Sequence, residues 1–332
     1  MTHEGLPTFK PQELCSTLFS AAEVPLSVPE EWLHLFWTIT QNQLDRFDPK
    51  HLSSILYAAK TLAIQPPTKW QRAFWQQSQR QLNRFNAQDL SNTLLAASFL
   101  SLDVPKGWQA DFWKGCQAQL SRSTTQALAG TIYAACVLDL QLPHEIKALF
   151  SSELPHLIEH THMGLGSLFS ARDYLKRQEV DLVFPEDTLA RLRCAADTSD
   201  SRIQKKVGWA LLSVLKEVHA DSQVVLEEEH FIESSASAVD FFIAACGDKG
   251  LVIQVDGPGH FLNKGTRQQR INGTTAFQTR FLRKKGYQVL RLPYDLLNRH
   301  GVFDIDDTDS LVPAALAGYL TEQLTPYLTT AT

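Results

Sequence analysis

Between Leu52 and Leu62 the apolar residues Leu52, Ile55, Leu56, Ala59 and Leu62 fall at i, i+3, i+4, i+7 and i+10, with polar residues between them. That spacing is the stripe of a helix buried along one face. Gln65-Pro66-Pro67 closes it, because a proline ring disfavours helical geometry in the residue before it and has no amide to donate. Trp70, Phe74, Trp75 and Leu82 then mark a second helix. Arg84 to Asp89 leads into the next pair, with Asn86 as the predicted N-cap and Asp89 three residues on. The same unit recurs every 38 residues, since Trp32, Trp70 and Trp108 keep that interval, as do Pro29, Pro67, Pro105 and Pro143. Phe36-Trp37, Phe74-Trp75 and Phe112-Trp113 follow it, with Leu44, Leu82 and Leu120, and Leu14, Leu52, Leu90 and Leu128.

A single helical pair cannot bury its own apolar face, so such units are expected to stack into an α-solenoid of helix-turn-helix repeats. The recurring Trp and Phe are then inter-repeat core. Ala58-Ala59, Ala96-Ala97 and Ala134-Ala135 allow the first helices to approach closely. Beyond about Phe150 the register slips, Leu165 to Arg172 and Pro185 reading as a decayed copy, and residues 202–218 read as a terminal helix. The array is therefore expected to span 1–220, followed by a separate domain over 221–332.

In that second part the pattern changes. Ala238 to Ala245 reads as a strand, Gly247 to Gly250 as a turn, and Leu251 to Val255 as a buried strand ended by Asp256-Gly-Pro-Gly-His260. Ala276 to Lys285 reads as a helix with Phe277, Phe281 and Leu282 on one face, stopped by Gly286, and Tyr287 to Pro293 as a third strand. Strand, strand, helix, strand predicts a small α/β domain.

Charge sharpens this picture. The chain of 332 residues carries a net charge of −5, yet from Lys249 to Arg299 there are ten Lys or Arg against Asp256 and Asp295. Clustered cations in an acidic chain point to a phosphate-facing surface. Five scattered cysteines without CxxC or His pairing predict reduced thiols, neither a disulfide scaffold nor a zinc site. The first residues show neither a signal nor a transit peptide, and no apolar run is long enough for a membrane span, so a cytoplasmic protein is expected. Gly257-Pro-Gly259 lacks the helix and Lys-Ser/Thr of a phosphate-binding loop, and His144, His156, His160 and His162 read as surface histidines.

The segments Val-Asp240-Phe, Gln254-Val-Asp256-Gly-Pro-Gly-His260-Phe261, Gly273-Thr-Thr275, Arg280-Phe-Leu282-Arg-Lys-Lys-Gly286-Tyr287 and Leu292-Pro-Tyr together resemble a RAP domain, over roughly residues 225 to 300. The 38-residue unit resembles an octotricopeptide repeat, a helical RNA-binding repeat that often precedes a RAP domain. The RAP domain is in turn similar to the PD-(D/E)xK nuclease superfamily, which implies a restriction-endonuclease-like fold. In that superfamily acidic residues on adjacent strands hold a divalent ion beside the phosphate. The resemblance thus implies Asp240 and Asp256 as metal ligands for Mg or Mn and His260 as base or water-positioning group, with an upstream acid from Glu217, Glu227, Glu228 or Glu229. Gln254 stands where the common pattern has an acid, and Gln278 where it often has Lys.

Three functions follow as expectations. In the first, the repeats bind single-stranded RNA, with the outward positions of the first helices facing base edges and the second domain acting in RNA processing or stability. Those positions differ between units: Lys50, Gln88 and Gln126; His51, Asp89 and Ala127; Ser54, Asn92 and Gly130. Lys264, Arg267, Arg270, Arg280, Arg283 and Lys284 are the expected phosphate-binding cations. In the second, the RAP-like domain is a Mg- or Mn-dependent endoribonuclease that needs Asp240 and Asp256. In the third, the stacked helices bind a protein partner.

Overall fold

A computed structural model of the chain describes residues 6–23, 28–119, 123–160, 165–195, 202–218, 225–244, 246, 248–305 and 312–328. Leu120 and His162 lie outside these residues, as do the side chains of His156 and His160. The chain divides into two compact units, Met1–Pro185 with Phe261–Thr274 and Glu186–His260 with Thr275–Thr332.

The first unit contains α1 (Pro11–Glu23), α2 (Glu30–Gln43), α3 (Pro49–Thr61), α4 (Thr68–Gln81), α5 (Ala87–Phe99), α6 (Lys106–Gln119), α7 (Thr125–Val137), α8 (His144–His160) and α9 (Leu165–Arg177). The odd-numbered helices are the first members of the pairs, and each packs on the next from α1 to α9; α2, α4, α6 and α8 form a second row in the same way. Ala58, Ala59, Ala96, Ala97, Ala134 and Ala135 are fully buried in the first row, where small side chains let helices approach. In the second row the rings of Trp32, Phe36, Trp37, Trp70, Phe74, Trp75, Trp108, Phe112 and Trp113 form one continuous ladder. Successive centroids are 4.9–5.2 Å apart, stacked between the Trp and Phe four residues apart in one helix and edge-on at the Phe-Trp pair and between helices.

Local chemistry sets the helix ends. Asn86 and Asp89 form a reciprocal capping box at the start of α5, and Pro29 and Pro67 precede α2 and α4 with φ of −59°. Each first helix from α3 to α9 closes on a residue in the left-handed region, Ala63, Ser101, Asp139 or Glu179. The next amide reaches back in every case, Ile64 to the Ala59 carbonyl, Leu102 to Ala97, Leu140 to Ala135 and Val180 to Leu175, at 2.9–3.0 Å. This is the Schellman closure. Its return at Glu179 shows that α9 is built as the earlier first helices are, although its sequence keeps few of the shared residues.

The second unit starts with α10 (Thr188–Ala195) and α11 (Arg202–Val218), followed by β1 (Leu226–Ile232), β2 (Ser237–Ile243) and β3 (Leu251–Asp256). The chain then passes through β4 (Phe261–Leu262) and β5 (Arg270–Ile271), a short antiparallel hairpin that belongs to the first unit. It continues with α12 (Gly273–Lys284), β6 (Gln288–Pro293), α13 (Tyr294–Arg299) and α14 (Ala314–Leu328). The sheet order is β1-β2-β3-β6, with β3 and β6 parallel and the other pairs antiparallel.

One sheet face buries Phe241, Ile243, Leu251, Ile253, Leu290 and Leu292 against Val207, Leu211 and Val214 of α11 and Leu316, Leu320 and Leu324 of α14. The other face packs Val239, Phe242, Val252 and Val289 around Leu282 of α12. The helix over 202–218, read from sequence as the end of the repeat array, therefore spends its apolar face on this sheet. β1 adds a strand that the apolar pattern did not announce, because Glu227, Glu228, Glu229 and His230 interrupt it. Acidic residues suit an exposed edge strand. No helix among the described residues is long and apolar enough to cross a membrane.

Candidate nucleic-acid interface

The outward faces of α3, α5 and α7 place the expected base-facing residues at one level of each helix. Lys50, Gln88 and Gln126 are exposed, and Ser54 and Asn92, one turn on, are half-buried. Gln88 Nε2 donates to Asn92 Oδ1 at 2.8 Å, which fixes the orientation of that amide. The row His51, Asp89 and Ala127 turns inward instead. The His51 amide donates to the capping Asp48, and Asp89 is buried, caps α5 and accepts from Ser53 Oγ at 2.8 Å. Ala127 is buried too. This row is structural, because the third residue of each helix is the one its cap addresses. The sole carboxylate within α3, α5 and α7 is that buried Asp89, so their outward faces carry none in a chain of net charge −5.

The expected phosphate-facing cations are all exposed and lie on two elements. Lys264, Arg267 and Arg270 lie on the hairpin segment and Arg280, Arg283 and Lys284 on α12. The hairpin segment is fixed by Asn263. Its amide donates to the Ala63 carbonyl at 2.8 Å and its Oδ1 accepts from the Gln65 amide at 2.9 Å. Gly273 comes so close to the Ser98 carbonyl that a Cβ there would collide with it. The turns that close α3 and α5 thus hold both ends of the segment.

In the second unit, β2, β3 and β6 bring Asp240, Gln254, Asp256 and Arg291 to adjacent strand positions, Gln254 and Arg291 being register partners. Asp256 is 1 % exposed and is gripped by Arg291. Arg291 Nε donates to Asp256 Oδ2 at 2.6 Å, Nη2 donates to Oδ1, and Nη1 donates to Thr279 Oγ1 at 3.0 Å. His260 Nδ1 stands 3.1 Å from Thr275 Oγ1 and 3.5 Å from Asp256 Oδ1. Burial holds His260 below the usual histidine range, against the pull of Asp256. Asp240 Oδ2 accepts from the Val255 amide at 2.6 Å. Burial above all pushes the Asp240 carboxyl up to about 6; Glu229 and Asp256 add to the rise, while the Val255 amide and Arg291 oppose it. Gln254 is buried with Nε2 unpaired.

This donor set does not fit Mg or Mn. Both oxygens of Asp256 are engaged by a guanidinium whose charge repels a second cation, Gln254 is neutral, and Asp240 already accepts the Val255 amide on Oδ2. Hard dications need several carboxylate or carbonyl oxygens at once. Among the described residues no group of three or more His, Cys, Asp and Glu is placed to hold a metal ion. Of the expected upstream acids, Glu229 is bonded to Gln204 and Glu227 to His230, whereas Glu228 on β1 and Glu217 on α11 are exposed. Gln278 is half-buried on α12. Arg291 is not singled out in the sequence; its alternation with Leu290 and Leu292 puts it on the sheet face that meets α12, beside Gln254 once β6 pairs in parallel with β3.

No curated protein matches the chain significantly. The family model of the RAP domain matches residues 253–310, a segment that begins in β3, takes in Asp256, His260 and Arg291 and runs past α13. The chain carries a RAP domain in its C-terminal part, behind a helical region consistent with helical repeats.

Proposed function

We propose that this protein binds single-stranded RNA and acts in the processing or stability of transcripts, with the first-helix faces of octotricopeptide-like repeats reading the strand. The observation that carries the proposal is the carboxylate-free outward face of α3, α5 and α7, bearing Lys50, Ser54, Gln88, Asn92 and Gln126. A strand of phosphates is repelled by carboxylates and attracted by Lys and Arg, and base edges are recognised by the amides and hydroxyls set among them. The RAP domain match supports an RNA-associated role. Stacking of first helix on first helix supports a solenoid, and two strands flanking α12 in parallel support a restriction-endonuclease-like topology. In this reading the RAP domain supplies cations and no metal-dependent cleavage, because Arg291 neutralises Asp256.

The test incubates the protein with labelled single-stranded RNA pools, with Mg or Mn and with chelator, and reads retention and cleavage on one gel. Salt-sensitive retention that is indifferent to chelator, with intact RNA, is the expected result. Metal-dependent cleavage abolished by Asp240→Asn makes the domain an endoribonuclease instead. Absence of retention at low salt leaves the repeats as a surface for a protein partner.

A further inference from the structure

One turn beyond the polar row, the same faces carry a second row. Phe19, Tyr57, Leu95 and Tyr133 keep the 38-residue interval on α1, α3, α5 and α7, and all four are half-buried, unlike the fully buried rings of the second-helix ladder. Tyr57 is three residues after Ser54, Leu95 three after Asn92 and Tyr133 three after Gly130, so each lies on the same side of its helix as the polar residue before it. Phe19 and Tyr57 stack with centroids 6.3 Å apart and planes 25° from parallel, and Leu95 leans across to Gly130, where any Cβ would press on it. Lys60 places its ammonium 4.5 Å from the Tyr57 ring centroid and 5.7 Å from that of Phe99.

A protein core has no use for large rings left half in water at the same position of three repeats, one of them under a cation and two of them on helices without a carboxylate. Single-stranded nucleic acid does, because bases gain by stacking on ring faces whatever their identity, while cations nearby hold the backbone. We infer that the rings of Phe19, Tyr57 and Tyr133 form a base-stacking platform for single-stranded RNA, interrupted at Leu95 and working beside the hydrogen-bonding row of Lys50, Ser54, Gln88, Asn92 and Gln126. This rests on the RNA-binding reading above and adds a division of labour to it. Tyr57 and Tyr133 supply affinity that is indifferent to base identity, and the polar row supplies discrimination.

The experiment measures affinity of the full chain for a single-stranded RNA oligonucleotide across a salt series, for wild type, Tyr57→Phe and Tyr57→Leu, and repeats it with an oligonucleotide carrying abasic sites. Stacking on one base corresponds to roughly a tenfold effect. Tyr57→Phe should bind as wild type, Tyr57→Leu about tenfold more weakly, and the log-log salt dependence should be the same for all three, since no phosphate contact is lost. On abasic RNA the two variants should bind equally. Tyr57→Leu binding as tightly as wild type to intact RNA overturns the platform while leaving RNA binding in place. Should Tyr57→Leu fail to fold, wild type binding abasic and intact RNA equally well overturns it too. Wild type binding neither RNA at low salt overturns the RNA reading itself.

Discussion

Trp70 Nε1 donates to Thr40 Oγ1 at 2.9 Å and Trp108 Nε1 to Ser78 Oγ at 3.0 Å, both bonds buried. The next members of the two series at the 38-residue interval are Cys116 on α6 and Ile146 on α8, so the hydroxyl and the indole N–H are lost together from the next pair of second helices. A buried donor must be paired and an absent one needs no acceptor. Ser78→Ala should therefore cost about 1–3 kcal/mol, the penalty of stranding the Trp108 donor, read as a shift in the denaturation midpoint. The acidic cluster makes a prediction of its own at this scale. Asp240 holds its proton to about 6 in the folded chain but releases it near 3.9 once unfolded. Between those values the folded state binds the extra proton, so this group's contribution is fully present below about 4, is lost as pH rises towards 6 and is flat above. Asp240→Asn keeps an oxygen for the Val255 amide and has no charge to bury. Its stability relative to wild type should grow from pH 4 to pH 7 in parallel denaturation series, and a constant difference would count against a buried carboxyl at this place.

At the scale of elements, most of the repeat unit was legible, because a helix stripe, a proline stop and a cap each leave a local mark. The α3 and α4 helices match the predicted stripes up to Leu62 and Leu82, which become their C-caps, and the capping box at Asn86 forms at the start of α5 as the sequence proposed. What escaped depends on partners distant in sequence. The apolar stripe of α11 is the same whether it meets another helix or a sheet, and only the fold of residues 226 to 292 decides between them. The β1 strand escaped because an edge strand need not alternate. Its acidic run reads as a loop until β2 pairs with it. The left-handed closures were hidden as well, since Ala63, Ser101, Asp139 and Glu179 are not the glycines that position usually announces. A side chain there pays about 1–2 kcal/mol of steric cost, partly offset by the extra unfolded-state freedom that a glycine would bring. Ser101, which is exposed, is the cleanest place to recover it. Ser101→Gly should raise stability by about 0.5–1 kcal/mol, read as a higher midpoint in urea with an unchanged slope.

For the molecule as a whole, the site was legible as residue types and not as chemistry. Asp240, Gln254, Asp256 and His260 do gather, yet their meaning changes once Arg291 closes on Asp256, and no spacing in the sequence states that β3 and β6 run parallel in the register that makes this contact. Net charge misleads in the same way. The sum of −5 says little about polyanion binding, whereas exposed Lys264, Arg267 and Arg270 on one short segment say more. Their segment is fixed through Asn263 and Gly273, so the three cations are presented by an ordered hairpin whose tip is free of carboxylates. If all three meet phosphates of a single strand, neutralising them together should lower the slope of log affinity against log salt by about 2, at roughly 0.7 per contact. The triple change to Gln leaves Asn263, Gly273 and every closure of the first unit untouched, so heat stability should not move. A weaker affinity with an unchanged salt slope would mean that the hairpin shapes the surface without touching the backbone. An unchanged affinity at low salt would confine the phosphate path to the helix faces and α12.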